Sequence, residues 1–128
     1  MQSPVVLDSW AVLTVLYDGP GTDEVEEVLA ARPVMSWINL GEVLYVLTRR
    51  HGVDRAEEDV RDIRRSVRAD LPDEKLVRGA AAIKARYRMS YADAFAAATA
   101  LAHDAELWTG DPELLVPDAP WRTRDLRT

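Results

Sequence analysis

Short apolar runs alternate along this chain with longer stretches of helical character, and that alternation constrains the fold more than any other feature. Val5-Val6-Leu7 reads as a short buried strand. Ser9 is placed to cap a helix over residues 10–16. Asp18-Gly19-Pro20-Gly21 reads as a loop, and Thr22 as the cap of a helix through about Ala30, with Asp23 and Glu24 in the first turn, where the helix dipole favours acids. Val34-Met35 is a second strand. Ser36 caps an apolar helix to about Arg50, with Gly52 just past its end.

A charged, amphipathic helix then opens at Asp54 and runs to about Arg68, and Leu71-Pro72-Asp73 breaks the pattern. Asp73 caps a helix to about Arg86, and Ser90 another to about His103. Glu106-Leu107-Trp108 is a third strand. Pro112 suits the first position of a short helix through Leu115, and residues 120–122 suit an edge strand. Strands alternating with helices imply an α/β fold: a small central parallel sheet of about four to five strands, flanked by helices. The 128 residues suggest one domain, 1–128, with no internal repeat or interdomain linker.

Against this background, four acids stand where an idle carboxylate is costly. Asp8 ends the first apolar run. Glu42 interrupts the apolar helix, Asp93 lies in the Ala-rich stretch Ser90-Tyr91-Ala92-Asp93-Ala94-Phe95-Ala96, and Asp111 follows Leu107-Trp108-Thr109-Gly110. A charge among core-forming residues needs a partner, a proton or a metal. Asp8 and Asp111 fall at the carboxyl ends of predicted strands, where α/β sheets bind their ligands. Converging carboxylates would make a hard-cation site suited to metal-assisted phosphodiester hydrolysis. Each acid also has a plainer reading. Asp8 and Asp111 suit N-caps. Ser90-x-x-Asp93 resembles a capping box with Asp as its last residue. Glu42 suits pairing with a basic group brought in by the fold, and Asn39, three residues earlier, is placed to hold it by a hydrogen bond.

Composition narrows the alternatives. Without cysteine, disulfides, thiolate metal sites and cysteine nucleophiles are excluded. His51 and His103 are far apart in sequence, which disfavours zinc, and both suit helix C-termini. A net charge of −6 argues against broad nucleic-acid binding, although basic residues cluster at Arg49-Arg50, at Arg61, Arg64, Arg65 and Arg68, and at Lys84, Arg86 and Arg88. No apolar run reaches the ~18 residues of a membrane span. No basic segment followed by an apolar one opens the chain. The expectation is a soluble cytoplasmic protein.

The order Asp8-Ser9, Asn39-Leu40-Gly41-Glu42-Val43, Ser90-Tyr91-Ala92-Asp93-Ala94 and Thr109-Gly110-Asp111 resembles the PIN domain. More narrowly, it is similar to the VapC ribonuclease toxins of bacterial type II toxin–antitoxin systems. The resemblance covers nearly the whole chain. It implies an endoribonuclease dependent on Mg²⁺ or Mn²⁺, with Asp8, Glu42, Asp93 and Asp111 as the acidic quartet. Of these metal residues, Asp8 and Asp93 would be direct ligands, Glu42 would bind metal or orient water, and Asp111 would bind a second metal or act through water. Ser9, Asn39 and Thr109 would be supporting polar groups. It also implies an RNA substrate such as tRNA or rRNA, a homodimer, and a small VapB-like antitoxin as partner.

Two other functions fit parts of the sequence. The same fold acting as a non-catalytic, dimeric protein-binding scaffold would gain from losing four mutually repelling acids. A phospho-accepting signalling domain needs a lysine at a late strand end, and no lysine follows Asp93. Trp10, Trp37, Trp108 and Trp121 read as core or interface residues, with base stacking as the alternative for one of them. The apolar content of residues 13–17 and 37–47 exceeds what one small core buries. It suggests a dimer face or an antitoxin groove.

Overall fold

The computed structural model describes residues 4–128. Five strands form one sheet: β1 (Val5–Leu7), β2 (Val34–Ser36), β3 (Arg68–Asp70), β4 (Glu106–Thr109) and β5 (Arg122–Asp125). All four pairings are parallel, and the strand order is β3-β2-β1-β4-β5. The six helices are α1 (Ser9–Leu16), α2 (Thr22–Leu29), α3 (Trp37–His51), α4 (Val53–Ser66), α5 (Glu74–Arg86) and α6 (Tyr91–Ala102). Among the described residues, no helix is long and apolar enough to cross a membrane.

Alternation along the strands divides the core. Val6, Val34 and Leu107 pack on one side of the sheet with residues of α5 and α6, including Leu76, Ile83 and Phe95. Leu7 and Met35 pack on the other side with residues of α1 to α4, including Val12, Leu40 and Ile63. A two-residue period sends neighbouring side chains to opposite faces, so three-residue strands serve both layers. The order of the sheet also locates a crevice. The chain builds outward from β1 through β2 to β3, then returns to add β4 and β5 on the other side. The switch point is therefore the seam between the carboxyl ends of β1 and β4.

Local chemistry accounts for most helix boundaries. The side chains of Ser36, Asp73 and Ser90 cap α3, α5 and α6 as their residue types predict, accepting from the backbone N–H groups of Ile38, Leu76 and Asp93. Gly52 separates α3 from α4 with a φ of +88°, a conformation L side chains rarely adopt.

The structure corrects several boundaries. Asp8, not Ser9, is the cap of α1: its backbone is still extended, and its Oδ1 accepts from Ala11 N–H at 2.9 Å. Ser9 is already helical. Gly21 occupies the cap position of α2, while the Thr22 hydroxyl turns back to the carbonyls of Gly19 and Thr14. The helix expected to reach Arg68 ends at Ser66, and Arg68–Asp70 forms an edge strand on β2. The last strand lies at Arg122–Asp125, not 120–122, because the Trp121 indole is buried and donates to the Leu114 carbonyl. Residues 112–114 form a turn rather than a short helix.

Candidate active site

The register of β1 against β4 builds the centre of the site. Leu7 pairs with Trp108, so the next residues on each chain, Asp8 and Thr109, emerge side by side. The Thr109 hydroxyl donates to Asp8 Oδ2, and Thr109 Oγ1 itself accepts from Asp111 N–H at 2.9 Å. Asp8 thus has one oxygen on the first turn of α1 and the other on β4. Asp111 is tied to the same threonine and also accepts from Glu113 N–H at 2.9 Å. Gly110 permits this turn: a Cβ there would stand 2.3 Å from Cζ2 of Trp10. Only glycine lets the strand end pass that close to the indole.

Two helices bring in the other acids. Asp93 sits in the first turn of α6, buried, three residues after its cap. Glu42 lies on α3, half-buried, and its Oε1 accepts from the Ser9 hydroxyl at 2.5 Å. Asn39 does not hold Glu42 as its spacing suggested. Its Nδ2 donates to the Ala92 carbonyl at 3.1 Å, fastening α3 to the start of α6 beside Asp93. Asn39 Oδ1 is buried with no hydrogen-bond partner among the described residues.

The electrostatics follow from burial and like charge. Burial pushes the Asp8 carboxyl up to about 7. The hydrogen bonds from Thr109 and Ala11 act against that rise, and the charges of Asp111 and Glu42 add to it. Asp93 is pushed up to about 8, first by burial, then by the charge and hydrogen bonding of Asp111, then by Asp8 and Glu42. The four expected acids therefore share one electrostatic neighbourhood. Their closest convergence has a different membership. One carboxylate oxygen each from Asp93, Asp111 and Glu113 lies within 4.8 Å of the others. Glu113 was not anticipated from sequence. Its signal is its position two residues after Asp111 in a tight turn, which turns both carboxylates toward one point.

This donor set fits a hard divalent cation. Every candidate ligand is oxygen, burial raises the carboxyls of Asp8 and Asp93 so that a nearby cation would favour their ionised forms, and Asn39 leaves one buried carbonyl oxygen free nearby in sequence. His103 is not part of it. Its Nε2 lies 3.1 Å from Asp70 Oδ2 at the end of β3.

A family model described as "PIN domain" matches residues 5–119. No curated protein matches the chain. Among solved structures, a chain of the DNA-bound VapBC complex from Salmonella typhimurium superposes with a TM-score of 0.79 at 17% identity, covering 98% of this chain and 99% of that one. A chain of VapBC-1 from nontypeable Haemophilus influenzae gives 0.76 at 17% identity, covering 97% and 98%. VapC20 of Mycobacterium tuberculosis, described as a sarcin-ricin loop cleaving toxin, gives 0.69 at 21% identity, covering 86% and 92%.

Proposed function

Since the chain belongs to the PIN domain family, we propose that it is a metal-dependent endoribonuclease and the toxin of a VapBC-type pair. The observation that carries this reading is the gathering of Asp8, Glu42, Asp93 and Asp111 at the β1–β4 switch point, with two carboxyls raised by burial and mutual repulsion. A non-catalytic scaffold has no use for that repulsion.

Asp93, Asp111 and Glu113, with Asp8, would hold Mg²⁺ or Mn²⁺. Such a cation lowers the pKa of water and offsets charge building on a phosphate. The chain's own residues do the rest. Thr109 and the α1 N-terminus fix the orientation of Asp8. Ser9 fixes one oxygen of Glu42 and leaves the other free to accept a proton or orient water. The Asn39–Ala92 bond holds the helices carrying Glu42 and Asp93 at a set spacing.

The substrate class is RNA, and the toxin described as cleaving the sarcin-ricin loop supports a structured rRNA or tRNA. The VapBC complexes among the structural neighbours support a small VapB-like antitoxin as partner. A homodimer and a cytoplasmic location complete the proposal. Its test incubates wild type and Asp8→Asn with total bacterial RNA in Mn²⁺ or in EDTA. Discrete fragments from wild type, in metal only, are expected. Equal cleavage by Asp8→Asn, or cleavage undiminished in EDTA, would sink it.

A further inference from the structure

The last strand is polar in its own residues and apolar at both of its ends. β5 reads Arg122-Thr123-Arg124-Asp125, with side chains exposed or half-buried, while Trp121 before it and Leu126 after it are buried. These two anchors belong to opposite layers. Trp121 packs with the residues of α5 and α6, and Leu126 with Leu7, Ala11, Val12 and Val25 on the side of α1 to α4. A polar edge strand buries little apolar surface of its own, so the burial of Trp121 and Leu126 does most to keep β5 in place.

Leu126 also makes a bond that reaches the carboxylates. Its N–H donates to the Thr109 carbonyl at 2.9 Å, one residue past the register pair of Thr109 with Asp125. Its side chain meets the start of α2: a Cβ on Gly21, which has a φ of +80°, would stand 3.0 Å from Leu126 Cβ and 3.0 Å from the Leu126 carbonyl oxygen. Two residues earlier, Arg124 Nε donates to Glu24 of α2 at 2.8 Å. The end of β5 is thereby seated between β4 and α2.

Thr109 is what this seating holds. Its hydroxyl donates to Asp8 and accepts from the N–H of Asp111. A β-branched side chain has few χ1 choices once its backbone is fixed. The direction of that hydroxyl therefore depends on where the backbone of the same residue is tied, and the Leu126 N–H is one of the ties.

We propose that Leu126 is a positioning residue for the carboxylate site. By burying its side chain against α1 and the start of α2, it fixes its own N–H on the Thr109 carbonyl. That bond fixes the hydroxyl that orients Asp8 and Asp111. The role in function rests on the reading of those carboxylates as a metal site. A leucine that only filled the core would cost stability when truncated and leave the hydroxyl where it is.

The test uses the full chain and two readouts: Mn²⁺ affinity by isothermal titration, and amide exchange of Asp111 in the metal-free protein. Leu126→Ala is expected to weaken Mn²⁺ binding about tenfold and to speed exchange at Asp111, while Leu126→Met keeps most of both. In a Thr109→Val background, Leu126→Ala should change Mn²⁺ affinity by less than about twofold, because the intermediary is already gone. Leu76→Ala, a truncation in the opposite layer, should lower the Tm and leave both readouts near wild type. Wild-type affinity and exchange in Leu126→Ala would overturn the proposal. So would an equal loss of affinity in the Thr109→Val background, or the same two changes in Leu76→Ala. Should Leu126→Ala fail to fold, Gly21→Ala presses on Leu126 from α2 with the end of β5 unaltered. It is expected to give the same two changes, and wild-type values there would equally overturn the proposal. A wild type that binds no Mn²⁺ would sink the metal-site reading instead, and exchange at Asp111 would still decide whether Leu126 holds Thr109.

Discussion

Thr109 donates its hydroxyl to Asp8 and, with the same oxygen, accepts from the backbone of Asp111. One buried threonine thus orients two acids that stand 103 residues apart in sequence (8 to 111). Thr109→Val keeps the shape and removes both hydrogen bonds. It is expected to lower metal affinity and RNA cleavage about 10–100-fold, while Thr109→Ser retains most of both. Isothermal titration with Mn²⁺ alongside the cleavage assay checks this, and equal metal affinity for Val and Thr would rule it out.

Asp93 should trade stability for function. Its folded-state carboxyl is raised to about 8 from an ordinary 3.8, so ionising it works against the fold. Asp93→Asn is expected to abolish metal-dependent cleavage yet raise the Tm of the metal-free protein by a few degrees at pH 8. A lower Tm for the variant would show that the ionised carboxylate stabilises the fold.

The two raised carboxyls set a direction for pH. A group whose folded pKa lies above its unfolded value contributes stability in full below the unfolded pKa, and loses it as pH rises through the folded one. For Asp8 and Asp93 the window runs from about 4 up to about 7 and about 8. Metal-free protein is therefore expected to lose stability across that range, and Mn²⁺ to reverse the loss. Metal binding should release protons at pH 7 and almost none above pH 9. Titrations in buffers of different ionisation enthalpy measure this release; a count that stays the same across those pH values would contradict it.

Gly110 should be replaceable only together with its neighbour. A Cβ there meets three atoms of the Trp10 ring at 2.3–2.4 Å. Gly110→Ala is expected to cost about 1–3 kcal/mol through overpacking and to displace Asp111. Adding Trp10→Phe should recover part of the loss. A double-mutant cycle by denaturant unfolding checks the coupling, and strict additivity of the two changes would refute it.

Glu113 should behave as a ligand and not as surface charge. Glu113→Gln is expected to weaken Mn²⁺ binding while leaving the Tm of the metal-free protein near wild type, since the side chain is exposed. Unchanged Mn²⁺ affinity would remove it from the site.

Read residue by residue, the chain already shows the layered α/β class, three of the five strands in place, the caps at Ser36, Asp73 and Ser90, and the four acids that share one electrostatic neighbourhood. Those features were legible because apolar runs, turn residues and carboxylates among core residues each carry a local energetic signature. The edge strands were harder to read. Arg68–Asp70 and Arg122–Asp125 are polar and half-exposed, with no apolar run to announce them, and they exist because β2 and β4 offer unpaired backbone.

The pairing of the polar groups, by contrast, depends on how the elements pack. Asp8 rather than Ser9 caps α1, Ser9 rather than Asn39 holds Glu42, Asn39 ties α3 to α6, and Glu113 joins Asp93 and Asp111. The physical reason is that a hydrogen bond needs its partners within about 3 Å, and these partners are set by the register of β1 against β4 and by the way α3 meets α6. Spacing along a chain locates a carboxylate on an element, and the packing of elements determines what it touches.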